Sequence, residues 1–168
     1  MRLPCLLFTL GLAIVVAAGC GGDRPGDSTS TTPPAGSAGS DAALDPCTLV
    51  TRAEADQALG AASTPERPGE ANIPPRLLTC RYTAPRGQGL AVMTVMVRAG
   101  YSDAEAKTTF QGMREVGPTQ PVAGLGDDAF WLADQLWILK GTRSISVSGD
   151  LDHATGEALA RKALERLK

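Results

Sequence analysis

Apolar positions follow three rhythms along this chain. From Leu6 to Ala18 they are continuous and uncharged, from residue 21 to 44 they nearly vanish, and from Asp45 onward they recur with helix and strand periods. The last stretch contains three helix signals. Thr51-Arg52-Ala53-Glu54 and Ser102-Asp103-Ala104-Glu105 are capping boxes, in which a hydroxyl and a carboxylate satisfy reciprocal backbone donors at a helix start. The first helix ends at Gly60 and the second before Gly117-Pro118. A third runs from about His153 to Leu167, with Leu159, Ala160, Ala163, Leu164 and Leu167 on one face.

Strands fill the intervals: Leu78 to Thr83, Leu90 to Arg98, Asp128 to Leu132, Gln135 to Lys140, and Arg143 to Ser148. In the last, Ser144, Ser146 and Ser148 alternate with Ile145 and Val147, which predicts one face in water. Leu90 to Val97 and Leu136 to Leu139 are apolar on both faces. Such strands belong in the middle of a sheet, covered on both sides or covered on one side with an apolar groove on the other. The order is α-β-β-α-β-β-β-α. It predicts an α+β fold: an antiparallel sheet of about five strands with three helices mainly on one face. Ala53-Glu54-Ala55 with Leu59 echoes Ala104-Glu105-Ala106 with Phe110. Either a duplicated α-β-β unit or the chance likeness of two capped amphipathic helices accounts for this.

The first run is too short for a membrane span, which takes about 20 apolar residues. Preceded by Arg2 and followed by Ala17, Ala18 and Gly19, it reads as a signal peptide over 1–19. Ala17-Ala18-Gly19-Cys20 resembles the bacterial lipobox, with alanine where leucine is usual, so Cys20 is the candidate for a diacylglyceryl thioether. Plain secretion and an uncleaved anchor are the other readings. Two acyl chains anchor stably where one is marginal. The expected location is therefore the outer face of the cytoplasmic membrane, in the cell envelope. Residues 21–44 are mostly Gly, Ser, Thr, Pro and Ala with hardly an aliphatic side chain, too few to build a core, so with Cys20 they form the expected linker 20–44. They read as a tether with a reach on the order of 25 to 30 Å. Its Ser28 to Pro34 stretch is of the kind that can carry O-linked sugars. Residues 45–168 suffice for one domain.

Cleavage removes Arg2 and no acid, taking the 16 bases to 15 against 18 acids, a net charge of −3. With no basic cluster, nucleic acid is not an expected partner and nothing polybasic supplements membrane attachment. Of the four cysteines, Cys5 leaves with the signal and Cys20 is acylated. Cys47 and Cys80 then form the natural disulfide of an oxidising compartment. A redox or metal pair is the rival reading, but it lacks C-x-x-C spacing and further soft ligands.

Asp45-Pro46-Cys47-Thr48-Leu49, the following acidic helix, Cys80-Arg81-Tyr82, and Gly124-Leu125-Gly126-Asp127-Asp128-Ala129 together are similar to the actinobacterial lipoproteins of unknown function that open with D-P-C-[ST]-L. The resemblance spans most of the domain. It implies the Cys47–Cys80 bridge and an exported α+β domain, and it transfers no activity.

The remaining motifs are weak as chemistry. Gly124 to Ala129 also fits G-x-G-x-x-A, but it precedes a strand instead of opening a helix, so no dinucleotide cofactor is expected. Asp127 and Asp128 fall short of the six to eight oxygens calcium takes and read as turn formers. No metal is assigned. His153 is the one histidine, placed in the first turn of the last helix, where solvent is the usual environment. No Ser sits in a G-x-S-x-G elbow, and nothing joins Asp127 to Asp150 as an acid/base pair. The chain is thus expected not to be an enzyme. Tyr82, Trp131 and Trp137 either fill the core or face outward as a surface for a ligand or partner. The proline-rich loop from Ala61 to Arg76 is long enough to be a lid or docking edge. These features point to a non-enzymatic envelope module that binds a protein or a small apolar ligand, or to an accessory lipoprotein that positions a membrane complex. A closed apolar cavity beside Val92, Val95, Trp137 and Leu139 favours the ligand; a solid core favours protein docking.

Overall fold

The computed structural model describes residues 44–69 and 75–167. The expected signal peptide over 1–19, Cys20, the expected linker up to residue 43 and positions 70–74 of the long loop lie outside the described residues. The order of elements is α1 (Pro46–Leu49), α2 (Arg52–Leu59), β1 (Thr64–Glu66), β2 (Arg76–Arg86), β3 (Gly89–Ala99), α3 (Asp103–Arg114), β4 (Thr119–Pro121), β5 (Asp128–Leu132), β6 (Gln135–Lys140), β7 (Arg143–Gly149) and α4 (His153–Arg166).

All pairings are antiparallel in one seven-stranded sheet of order β1-β2-β3-β7-β6-β5-β4. The α+β class is as expected. The sheet has two strands more than the pattern indicated because β1 and β4 are three residues each, too short to show alternation. Both are edge strands carrying a proline, Pro65 and Pro121, which removes a ladder donor and blunts the edge against further pairing. Helix α1 is likewise a single turn, started by Asp45, whose carboxylate accepts from the Cys47 N–H at 2.9 Å, with Pro46 following as the pre-set first residue.

The capping boxes at Thr51–Glu54 and Ser102–Glu105 both form, and Gly60 ends α2 in the left-handed region at φ 76°. The helices do not share a face, however. Leu49, Ala55, Leu59, Leu159, Ala160 and Ala163 pack with Leu78, Tyr82, Met93, Val95, Trp131, Leu136, Ile138, Ile145 and Val147 on the inner face, under α1, α2 and α4. Ala106 and Phe110 of α3 pack instead with Phe130, Trp137 and Leu139 on the outer face. Residues one apart on a strand point to opposite sides, so β5 and β6 are covered twice. This also bears on duplication. The rotation that would carry the β1-β2-β3 meander onto β5-β6-β7 keeps the faces as they are, yet α2 and α3 lie on opposite faces. The likeness of their sequences is a shared capping device.

The outer face is covered unevenly. Ser144 and Ser146 are 8% and 3% exposed, contrary to the solvated serine face expected of β7. Register explains this, since Ser144 lies between Arg98 and Leu139, and Ser146 between Met96 and Trp137. Larger neighbours close over them. Further along, Val92, Thr94 and Met96 of β3 and Thr79 and Thr83 of β2 are only half-buried, and Leu90 at the hairpin end is 66% exposed.

Candidate functional site

The residues of the D-P-C-T-L, Cys-x-Tyr and Gly-Leu-Gly-Asp-Asp-Ala motifs make architecture. Cys47 and Cys80 stand at disulfide-bonding distance, 2.02 Å between sulfurs, which staples α1 to β2. Two residues on, and so on the same side of the strand, the Tyr82 hydroxyl donates to the Cys47 carbonyl at 3.2 Å and to that of Val50. Burial pushes the Tyr82 phenol up to about 12, so it remains a donor. Arg67 reaches back from the long loop to Asp45 at 2.5 Å, and its hydrogen bond is the first cause holding that carboxyl below the usual range. Asp127 accepts from the Gly141 N–H at 2.6 Å and the Lys140 ammonium at 3.1 Å, closing the β6–β7 turn. Gly126 is required beside it. Its φ is +62°, and a Cβ there would stand 2.3 Å from the Leu139 carbonyl oxygen.

Of the two roles left open for Tyr82, Trp131 and Trp137, the structure takes the core. They are 0%, 4% and 3% exposed, so they form no outward platform. Tyr82 and Trp131 belong to the inner face and Trp137 to the outer, and each is enclosed because a helix lies over its strand. Trp131 fits under α4 because position 156 is glycine; a Cβ there would be 2.7 Å from the indole. Exposed His153 stacks on the Trp131 ring at 4.0 Å between centroids and 8° between planes. Asp150 accepts from the Val92 N–H at 2.8 Å, while Asp127 sits beside Leu139. These positions are at opposite ends of β7, roughly 20 Å apart along the strand. The two carboxylates therefore do not converge. Asp128 instead pairs with Arg114 at 2.7 Å. Among the described residues, no group of three or more His, Cys, Asp or Glu is placed to hold a metal ion.

Two arrangements were not legible beforehand. Glu54 does more than cap α2. Arg166 of α4 grips it at 2.7 and 2.8 Å while also donating to the Leu49 carbonyl at 2.7 Å, and Lys162 stands at 3.4 Å. Arg166 first, then the Thr51 donors, hold the Glu54 carboxyl down at about 2 against the opposing effect of burial. This is a clamp joining the two ends of the domain. A cleft of about 270 Å³ between α2 and α4 opens beside it, lined by Gln57, Ala58, Ala158 and Leu159.

The second arrangement is on the outer face. Arg98 lies over the indole of Trp137, its guanidinium carbon 4.7 Å from the ring centroid. Because those residues are two strands apart, the side chain must cross β7, and the small Ser144 and Ser146 leave room for it. Arg98 is half-buried, and burial pulls its pKa below the usual guanidinium value. Among the described residues no carboxylate pairs with it. The Trp137 Nε1–H is also buried and has no acceptor among the described residues. The face continues from Arg98 through Met96, Thr94, Thr79 and Thr83 to an open depression of about 610 Å³ lined by Val92, Gln135, Ser148 and Asp150. The available signal was the placement of Arg98 in phase with Val92, Thr94 and Met96, a charge on a strand face that otherwise reads as half-apolar.

The fold and site thus define a cysteine-stapled antiparallel α+β domain with one half-open sheet face. The chain belongs to DUF3558, a family of proteins of unknown function, whose model matches residues 15–134. The match runs from the apolar leader through the β5–β6 turn. No curated protein and no solved structure matches the chain.

Proposed function

We propose that this protein is a lipid-anchored lipoprotein of the cell envelope, attached through a diacylglyceryl group on Cys20 at the outer face of the cytoplasmic membrane, and that its domain is a non-enzymatic module that binds a protein partner. The anchor rests on the uncharged run Leu6 to Ala18, the small residues and cysteine Ala17-Ala18-Gly19-Cys20, and a following stretch with hardly an aliphatic side chain. A cysteine pair at bonding distance suits an oxidising compartment. The likeness of the Asp45 to Leu49 segment to actinobacterial lipoproteins agrees with both.

Binding, as opposed to chemistry, rests chiefly on the half-exposed outer sheet face beside half-buried Arg98, with which no carboxylate among the described residues pairs. A protein partner is favoured over a small apolar ligand because Val95, Trp137 and Leu139, which would line an apolar cavity, are 0%, 3% and 6% exposed in close-packed clusters. The same observation supports a second reading, an accessory lipoprotein that positions a membrane complex, since that role also uses a docking face. Replacing Cys20 by Ser tests the anchor: the wild-type chain should enter the detergent phase on partitioning and the variant should remain aqueous or unprocessed. Detergent-phase partitioning that persists in Cys20→Ser overturns the reading.

A further inference from the structure

We infer that Arg98, held over the Trp137 indole on the outer face, is the point at which this domain takes one carboxylate of its protein partner. This deepens the binding reading above and rests on it. The outer face contains the same construction twice. Phe130 and Trp137 are register partners across β5 and β6, and each ring carries an arginine. The Arg114 guanidinium carbon stands 4.8 Å from the Phe130 centroid, and that of Arg98 stands 4.7 Å from the Trp137 centroid. Both arginines are half-buried. Arg114 donates to the Asp128 carboxylate at 2.7 Å. Arg98 donates to no acceptor and pairs with no carboxylate among the described residues.

A guanidinium drawn partly out of water without an anion is unfavourable, and the quadrupole of an indole face offsets only part of its charge. A carboxylate does for it what Asp128 does for Arg114. Stacking on the ring leaves the donors on the guanidinium edge free to meet that carboxylate bidentately, with little further loss of side-chain freedom. Hydroxyls beneath the arginine add donors. Ser144, the register neighbour of Arg98, makes no side-chain hydrogen bond among the described residues, and Ser146 accepts from Gln135 Nε2 at 2.9 Å and keeps its own proton to give. The surface beside the arginine selects a protein as the carrier of the carboxylate. Small-ligand sites enclose most of their ligand, whereas half-buried Met96 and Thr94 continue this face toward an open depression of about 610 Å³. A side chain presented by a large partner needs no enclosure, because the partner itself covers the face.

The test titrates the full lipidated chain, isotope-labelled and held in nonionic detergent micelles, with N-acetylglutamate α-amide as a carrier of one side-chain carboxylate, and with its glutamine twin. Nuclear magnetic resonance should show saturable movement of the Arg98 Nε–H and Trp137 Nε1–H signals with the carboxylate, and about tenfold weaker affinity for the twin. Arg114, already paired with Asp128, should not respond. Arg98→Gln should abolish the response at Trp137, and Arg98→Lys, which keeps the charge without the planar fork, should weaken it severalfold. Asp128→Asn leaves Arg98 untouched and should open a second site of the same preference at Arg114. A silent Arg98 overturns the inference, including the case in which Arg114 responds in Asp128→Asn. So does equal affinity for the two probes, or a response at Trp137 that survives in Arg98→Gln with an unchanged melting curve. Markedly tighter binding of inorganic phosphate overturns it in favour of a phosphoryl group, and markedly tighter binding of free glutarate in favour of a small acid. A silent Arg98 in a chain that still partitions into detergent removes this contact and leaves the anchor standing.

Discussion

Single side chains decide which surfaces of this domain tolerate change. Val95 points into the inner face at 0% exposure between Cys80 and Val147, whereas Val92, three residues away, is half-exposed on the outer face. A buried carboxylate without a partner must shift its pKa or unfold its surroundings. Val95→Asp should therefore abolish the cooperative melt followed by circular dichroism, while Val92→Asp should fold and melt within a few degrees of wild type. If both variants melt alike, the inner and outer faces have been assigned wrongly. Gly126→Ala is a backbone test of the same kind. The methyl would meet the Leu139 carbonyl in a left-handed conformation, so a loss of about 2 to 4 kcal/mol is expected in chemical denaturation. A loss below about 0.5 kcal/mol would show that the turn relaxes freely.

Secondary elements are held together by the Glu54 clamp, which ties the start of α2 to the end of α4. The Glu54 carboxyl is lowered from 4.5 to about 2, first by Arg166, so the folded state favours the ionised form. That contribution is fully present above about pH 4.5, the unfolded value, and is lost as pH falls toward about 2. Its size is on the order of 2 kcal/mol, since Arg166 is partly exposed and screened. In the Glu54→Gln variant, the denaturation midpoint should be lower at pH 7 and its decline between pH 4.5 and 2 shallower than in wild type. Identical slopes would mean that Arg166 and Glu54 do not interact in solution. Both capping boxes were readable from sequence because their partners are three residues apart. Arg166 was not, because it is 112 residues from Glu54 and its role depends on how α4 lies across α1 and α2.

Across the whole domain, the bond between Cys47 and Cys80 closes a separation of 33 residues that includes the long proline-bearing loop. Cys80→Ala should lower stability by about 2 to 5 kcal/mol in denaturant. The loss should be matched by adding reductant to the wild type. Free-thiol labelling that finds both sulfurs reactive in the native protein would refute the pairing. With α1 anchored by that bond and by Tyr82, and α4 anchored by Arg166, the inner face is closed at three points. The outer face has one helix and keeps an open half.

Local signals in the chain determined the long helices, the five longer strands and their hairpins, because capping, alternation and turn chemistry act within a few residues. They also marked Cys47 and Cys80 as partners, on the expectation that Cys5 leaves with a signal peptide and Cys20 is acylated. Tertiary structure alone decided which face each helix covers. Phe110 of α3 and Leu59 of α2 are equally apolar and equally well placed on their helices, yet they end on opposite sides of the sheet. The same contacts enclosed Tyr82, Trp131 and Trp137, buried two of the three serines of β7, and left Arg98 on an indole without a counter-charge among the described residues. Each of these outcomes depends on register and on long-range packing between strands distant in sequence, which no short-range periodicity encodes.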